Sequence, residues 1–199
     1  MALLALIRHG ESVWNKEQKF SGWHDVLLTS KGEEEMKAAA SKLRNYHFDL
    51  AFSSELTRAK NSLTIILKEL DLPSIPTQFH HGLDERDYGD LTGKTHQEII
   101  HQFGKKQYDL WHRSWDHSPP HGESLKDTHT RVWNYFQEQI LPELKKGKNI
   151  LIVASGNSLR ALRKGLDNIS EEKIPSLEIP TGSVEFYEVD TKGKAVKTR

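Results

Sequence analysis

Ala2-Leu3-Leu4-Ala5-Leu6-Ile7-Arg8-His9-Gly10-Glu11 decides the fold. An unbroken apolar run ended at once by Arg-His-Gly reads as a strand covered on both faces that stops at a loop. Residues 149–154 form the most apolar stretch in the chain and end in the same way, at Ser155-Gly156-Asn157. Further strands are expected at 48–53, 77–80 and 184–189, with 8–28 read as loop. Between them lie helical periods. Ser30 and Glu33 have capping-box spacing before Met36, Ala40 and Leu43. Leu56, Ala59, Leu63, Ile66, Leu67 and Leu70 share one helix face, and Thr95 caps a short helix with Ile99 and Ile100. Leu125, Val132, Phe136, Ile140 and Leu144 mark a long helix, and Leu159, Leu162 and Leu166 another. Strands alternating with helices predict an α/β fold, a mostly parallel central sheet with helices on both faces. In such sheets ligands bind beyond the carboxyl ends of the strands, which directs attention to Arg8-His9 and to Ser155-Gly156.

The 199 residues fit a single domain spanning 1–199. Lys plus Arg (28) balances Asp plus Glu (28), so the overall field gives no reason to expect nucleic acid or an anionic membrane as partner. Any anion site must be a local concentration of arginine and lysine. The absence of cysteine excludes disulfides, thiolate metal sites and a Cys nucleophile. No apolar run approaches a membrane span, and the start lacks a basic leader or a small-residue cleavage site. The cytoplasm is the expected location.

A histidine at a rigid strand end is a nucleophile towards phosphorus when its imidazole is neutral, and the adjacent Arg8 favours that neutral form. The arginine also offers a planar fork of donors for phosphate oxygens. Gly10 is read as the residue that lets a ligand come close. A lone Arg-His pair would be a hydrogen-bonded structural histidine; the run Arg8-His9-Gly10-Glu11-Ser12 followed by Trp14-Asn15 turns the reading to function. Eleven histidines invite a metal, yet none has helix-spaced carboxylate partners, and His80-His81 reads as solvated loop, so no metal is expected.

The segment from Arg8 to Asn15 resembles the signature of the histidine phosphatase superfamily and, within it, of the short-form phosphoglycerate mutase branch. Phe20-Ser21-Gly22-Trp23, Ser53-Ser54-Glu55-Leu56-Thr57-Arg58-Ala59, the charged stretch from Leu83 to Lys94, Gly156-Asn157-Ser158-Leu159-Arg160 and Ile179-Pro180-Thr181-Gly182 resemble further family segments in order and spacing. The resemblance implies a phosphoglycerate mutase-like fold. It also implies interconversion of 3- and 2-phosphoglycerate through a phosphohistidine at His9, primed by 2,3-bisphosphoglycerate. Arg8 and Arg58 would hold the transferring phosphoryl, and Glu85 would be the general acid and base. On its own, Arg58 would be read as a solvated helix residue and Glu85 as a surface carboxylate. Gly10, Glu11, Ser12, Asn15, Ser21, Gly22, Arg86, Tyr88, Lys94, His112, Arg113, Gly156 and Asn157 would contact the rest of a small phosphorylated substrate.

The sequence departs from the family pattern in places. Ser155 stands where the family has a second histidine that stabilises the transferring phosphoryl. Serine donates one hydrogen bond without charge, and losing such a donor costs about 10²–10³ in rate. An engineered substitution, a weakened natural enzyme and a silent phospho-ligand binder stay open, in that order. A phosphatase on the same fold is the other enzymatic alternative. His112 replaces the first of two adjacent arginines, with a loss of permanent charge. Asp87 stands where many members have histidine, a change expected at the pocket rim. The short stretch from Trp115 to Glu123 lacks the insertion of longer members and leaves monomer or homodimer open. The chain stops at Arg199, shortly after the last expected strand; without the family's covering tail, water would reach the site more easily.

Overall fold

The computed structural model describes residues 1–198. Its sheet has six strands, β1 (Ala2–Arg8), β2 (Leu50–Ser53), β3 (Thr77–Phe79), β4 (Ile150–Ala154), β5 (Val184–Val189) and β6 (Ala195–Lys197), in the order β3-β2-β4-β1-β5-β6. The first four run parallel; β5 is antiparallel to β1, and β6 to β5. All five expected strands are present. The edge strand β6 is additional, and its half-polar three residues give no alternating signal.

Eight α-helices are described: α1 (Val13–Lys16), α2 (Ser30–Leu43), α3 (Thr57–Glu69), α4 (His96–Phe103), α5 (Lys105–Arg113), α6 (Leu125–Tyr135), α7 (Leu141–Lys145) and α8 (Gly156–Leu166). The alternation along β1 divides the core. Leu4 and Leu6 meet Val132 of α6 and Leu159 and Leu162 of α8, whereas Ala5 and Ile7 meet Met36 and Leu43 of α2 and Leu63 and Ile66 of α3. Helices therefore cover both faces, and both ends of β1 are fixed by packing rather than by solvent.

Three local expectations change. The cap of α2 is Thr29, whose side chain accepts from the Gly32 amide, and Ser30 is the first helical residue. The hydroxyl of Thr29 also donates to the Glu11 carboxylate, a tertiary contact that selects it over its neighbour. The stretch 8–28 is not all loop, because Ser12 caps the short α1 through a reciprocal bond with Asn15. The expected long helix is continuous but widens into a π turn at Phe136–Ile140, just before Pro142. Proline lacks a donor and crowds the preceding turn, and the wider turn absorbs that defect.

Gly10 has a different purpose from the one expected. A Cβ on it would lie 2.1 Å from the Gly32 carbonyl oxygen, and one on Gly32 would lie 2.2 Å from the Glu11 carbonyl oxygen. The two glycines let the loop after β1 lie backbone to backbone on the first turn of α2; the close approach is to the chain itself.

Candidate active site

His9 follows directly on β1, and its amide donates to the Ala154 carbonyl at the end of β4. Its ring is 2% exposed. Nδ1 lies 2.7 Å from the Gly10 carbonyl, and Arg58 Nε donates to Nε2 at 3.3 Å. A carbonyl only accepts and a guanidinium only donates, so the partners fix the tautomer: Nδ1 carries the proton and Nε2 the lone pair. Burial, then the charges of Arg58 and Arg8, hold the imidazole pKa well below its ordinary value. The ring is neutral at neutral pH.

Arg58, on the first turn of α3, is 1% exposed. Its Nη1 and Nη2 donate to the carbonyls of His24 and Gly22 at 3.0 and 2.8 Å. Arg8 donates through Nη1 to the Ile179 carbonyl at 2.6 Å, and its Nε is buried without a partner. The stretch Ile179-Pro180-Thr181-Gly182 is thus a bracket for β1: the Gly182 amide donates to Arg8 O and the Arg8 amide to Ser183 O. Burial lowers both guanidinium pKa values, and Glu85, facing both, acts against that shift.

Glu85 is buried, and its Oε1 accepts from the amides of Arg86 at 2.7 Å and Asn157 at 3.2 Å. Ser155 precedes α8 at the tip of β4. It is fully buried, its hydroxyl has no partner, and it does not cap the helix. Gly156 lies flat on Arg8, where a Cβ would sit 3.3 Å from the guanidinium carbon.

These residues border a pocket of about 270 Å³ lined by Arg8, Asn15, Ser21, Glu85, Tyr88, His112, Arg113, Gly156 and Asn157, all of them expected, together with Lys19, Phe20, His96, Arg160 and the connection 177–180. His9, Arg58 and Ser155 are buried and do not themselves line its wall; Arg8 and Gly156, the chain neighbours of His9 and Ser155, do. Other expected contacts are not brought to the wall. The Glu11 carboxylate is held by Thr29 and Lys31. Ser12 is spent on the α1 cap, and Gly22 turns its carbonyl to Arg58. Arg86 is fully buried behind the Tyr88 ring, 4.6 Å away, and donates to the Trp111 and His112 carbonyls at the end of α5. Lys94 borders a separate surface hollow with Gln97 and Glu98. Asp87 is not at the rim; its carboxylate accepts from the Gly89 amide and its amide donates to Glu123. His80 is half-buried rather than solvated, stacked on Tyr135 at 4.1 Å.

The outer wall is built by α5 and the 177–180 connection. His112 packs among Phe20, His96 and Tyr108, with centroids 5.6, 5.1 and 5.0 Å away. Burial, with Arg113 next, pushes its pKa down to about 2, so no charge replaces the one the family arginine would bring. Arg113 is paired with Glu178 at 2.6 Å. Arg160 was not anticipated, although it stands one helical turn after Gly156 on the same face. Its Nη1 donates to Asn157 Oδ1 at 2.8 Å, which directs Asn157 Nδ2 to the Tyr88 hydroxyl at 3.0 Å. Its Nε is buried and unpartnered, and burial lowers its pKa to about 10. Among the described residues no group of three or more metal-ligating side chains gathers, and no helix is long and apolar enough to cross a membrane.

Residues 4–199 match the histidine phosphatase superfamily (branch 1), and the chain belongs to that family. Within it, the chain is 47% identical over 192 residues to the 2,3-bisphosphoglycerate-dependent phosphoglycerate mutase of Cytophaga hutchinsonii, spanning 96% of this chain and 90% of that protein. It is 48% identical over 187 residues to the protein of the same name from Beijerinckia indica, spanning 93% and 90%. Among solved structures it resembles Bacillus stearothermophilus YhfR, with a TM-score of 0.88, 28% identity and coverage of 100% and 96%. It also resembles the alpha-ribazole phosphatase of Shigella flexneri, with a TM-score of 0.84, 27% identity and coverage of 98% and 94%.

Proposed function

We propose that this chain interconverts 3-phosphoglycerate and 2-phosphoglycerate through a phosphohistidine on His9, in glycolysis and gluconeogenesis and in the cytoplasm. The observation that carries the reading is the locked tautomer of His9: a neutral ring whose Nε2 lone pair faces the buried Arg58 guanidinium, with the charge of Arg8 acting on the same ring. Its mutase-named relatives at 47% and 48% identity support the substrate. The unpartnered buried donors Arg8 Nε, Ser155 Oγ and Arg160 Nε fit an anionic, doubly phosphorylated primer. That primer, 2,3-bisphosphoglycerate, supplies the phosphoryl group that His9 carries.

His9 Nε2 attacks phosphorus, and Arg8 and Arg58 hold the equatorial oxygens as charge shifts to the leaving oxygen. Glu85 delivers a proton to that oxygen and later removes one from the accepting hydroxyl. Two backbone amides hold its Oε1, which leaves Oε2 for the proton. Arg113 and the Asn157 and Tyr88 pair bind the far end of the glycerate. Ser155 lends one uncharged donor, which sets a low rate. An enolase-coupled assay with 3-phosphoglycerate tests the reading: weak activity that rises with added 2,3-bisphosphoglycerate is expected. Release of inorganic phosphate without isomerisation would assign the chain to hydrolysis instead.

A further inference from the structure

The residues that follow Ser21 reach both halves of the site. The Gly22 and His24 carbonyls accept from Arg58 at 2.8 and 3.0 Å. The Asp25 carboxylate accepts from the Thr57 amide and hydroxyl, at 2.7 and 2.8 Å, where α3 begins. Between them, Trp23 Nε1 donates to the Glu85 carbonyl at 2.7 Å. The Trp23 ring is 49% exposed, so burial does not account for its place. Arg131 lies 5.8 Å over that ring and donates to the same carbonyl at 3.2 Å.

The geometry of one peptide gives this contact a consequence. The Glu85 carbonyl and the Arg86 amide belong to the same planar unit. Trp23 holds the oxygen side of that plane, and the nitrogen side donates to Glu85 Oε1 at 2.7 Å. Rotation of the plane therefore carries the carboxylate with it. A shift of about 1 Å in a catalytic group costs on the order of 10²-fold in rate.

We propose that Trp23 is a positioning residue for proton transfer: through its indole N–H it fixes the Glu85–Arg86 peptide and so aims the Glu85 carboxyl. This rests on the reading of Glu85 as acid and base. The step concerned is the breaking of the P–O ester bond, in which Nε2 of His9 bonds to phosphorus, the electron pair leaves on the alkoxide oxygen, and that oxygen takes the proton of Glu85. A p-nitrophenolate leaving group needs no such proton at neutral pH.

The test compares the first-turnover phosphorylation of His9 from 2,3-bisphosphoglycerate with that from p-nitrophenyl phosphate, in the parent and in Trp23→Phe. Phenylalanine keeps a ring and removes the donor. The bisphosphoglycerate reaction should slow about tenfold while the p-nitrophenolate burst stays within about twofold. Trp23→His, which retains a ring N–H, should recover part of the loss and keeps the test open if the phenylalanine variant folds poorly. Equal slowing with both donors, or none with either, overturns the proposal. A parent chain that gains no phosphoryl group on His9 from either donor overturns the proposed function and, with it, this role.

Discussion

Behind the pocket wall, His9 and Arg58 are buried and Arg8 is partly so, and the three are held by carbonyls of Gly10, Ile179, Gly22 and His24. Across the pocket, His112, Arg113 and Glu178 stand on a helix end and a connection, half-exposed and held mainly by one another and by aromatic neighbours. The inner group takes its geometry from strands packed on both faces, which leaves a side chain little freedom to move. The outer wall rests on Arg113 and Glu178, which face water, and on His112, which is packed among aromatic rings behind them but stands on a helix end rather than a strand tip. Of the departures from the family pattern, His112 falls on the binding wall and Ser155 at the strand tip beside the nucleophile, so the two should differ greatly in their effect on turnover.

Removing the nucleophile is the most severe way to break that contrast. His9→Ala should lower mutase activity by at least about 10⁴ in the coupled assay, with no primer stimulation; parent-level activity in that variant would refute covalent transfer. Restoring the missing imidazole sharpens it: Ser155→His should raise kcat by about 10²-fold, whereas His112→Arg should act mainly on KM. A gain confined to KM at position 155 would place that residue with the binding wall.

Acid tests the burial of the imidazoles themselves. His9, His96, His112 and His129 all have lowered pKa values, chiefly from burial. The unfolded chain takes up these protons below about pH 6.5 and the folded chain does not, so stability is present above that pH and is lost as pH falls. With a folded value of about 2, His112 alone should account for about 2 kcal/mol between pH 7 and 5. Urea midpoints at the two pH values should converge in His112→Gln relative to the parent. The smallest effect is expected at the pocket mouth. Glu178→Gln frees Arg113 from a partly exposed pair worth up to about 1 kcal/mol, so KM should fall by no more than about fivefold with kcat unchanged.

The same contrast explains what the sequence made legible. β1 and β4 are strongly apolar, end abruptly and point to their own tips, and His9 followed from the first of them; Glu85, in the charged stretch after Leu83, read locally as a surface carboxylate and took its role only from the family resemblance. Arg58 read locally as a surface residue; only the carbonyls of a loop 34 to 36 positions away bury it. The outer wall was largely silent. α5 begins at Gly104, with φ of +83° and no side-chain cap, and buries only Tyr108, so neither a start signal nor an apolar face marks it. Arg160, Ile179 and Pro180 lie in segments marked by the resemblance but carried no site role there, whereas Lys19, His96, Leu177 and Glu178 had no signal because only tertiary packing gathers them. The cap of α2 falls on Thr29 rather than on the expected Ser30, and a contact of the Thr29 hydroxyl with Glu11 accompanies that choice.

Covalent transfer through the locked imidazole is tested most directly by mass spectrometry of the intact chain and its peptides after brief incubation with 2,3-bisphosphoglycerate. One added phosphoryl group, acid-labile and mapped to Nε2 of His9, is the predicted result. An unmodified His9 under conditions where isomerisation proceeds, or a phosphoryl group on a different histidine, would contradict it.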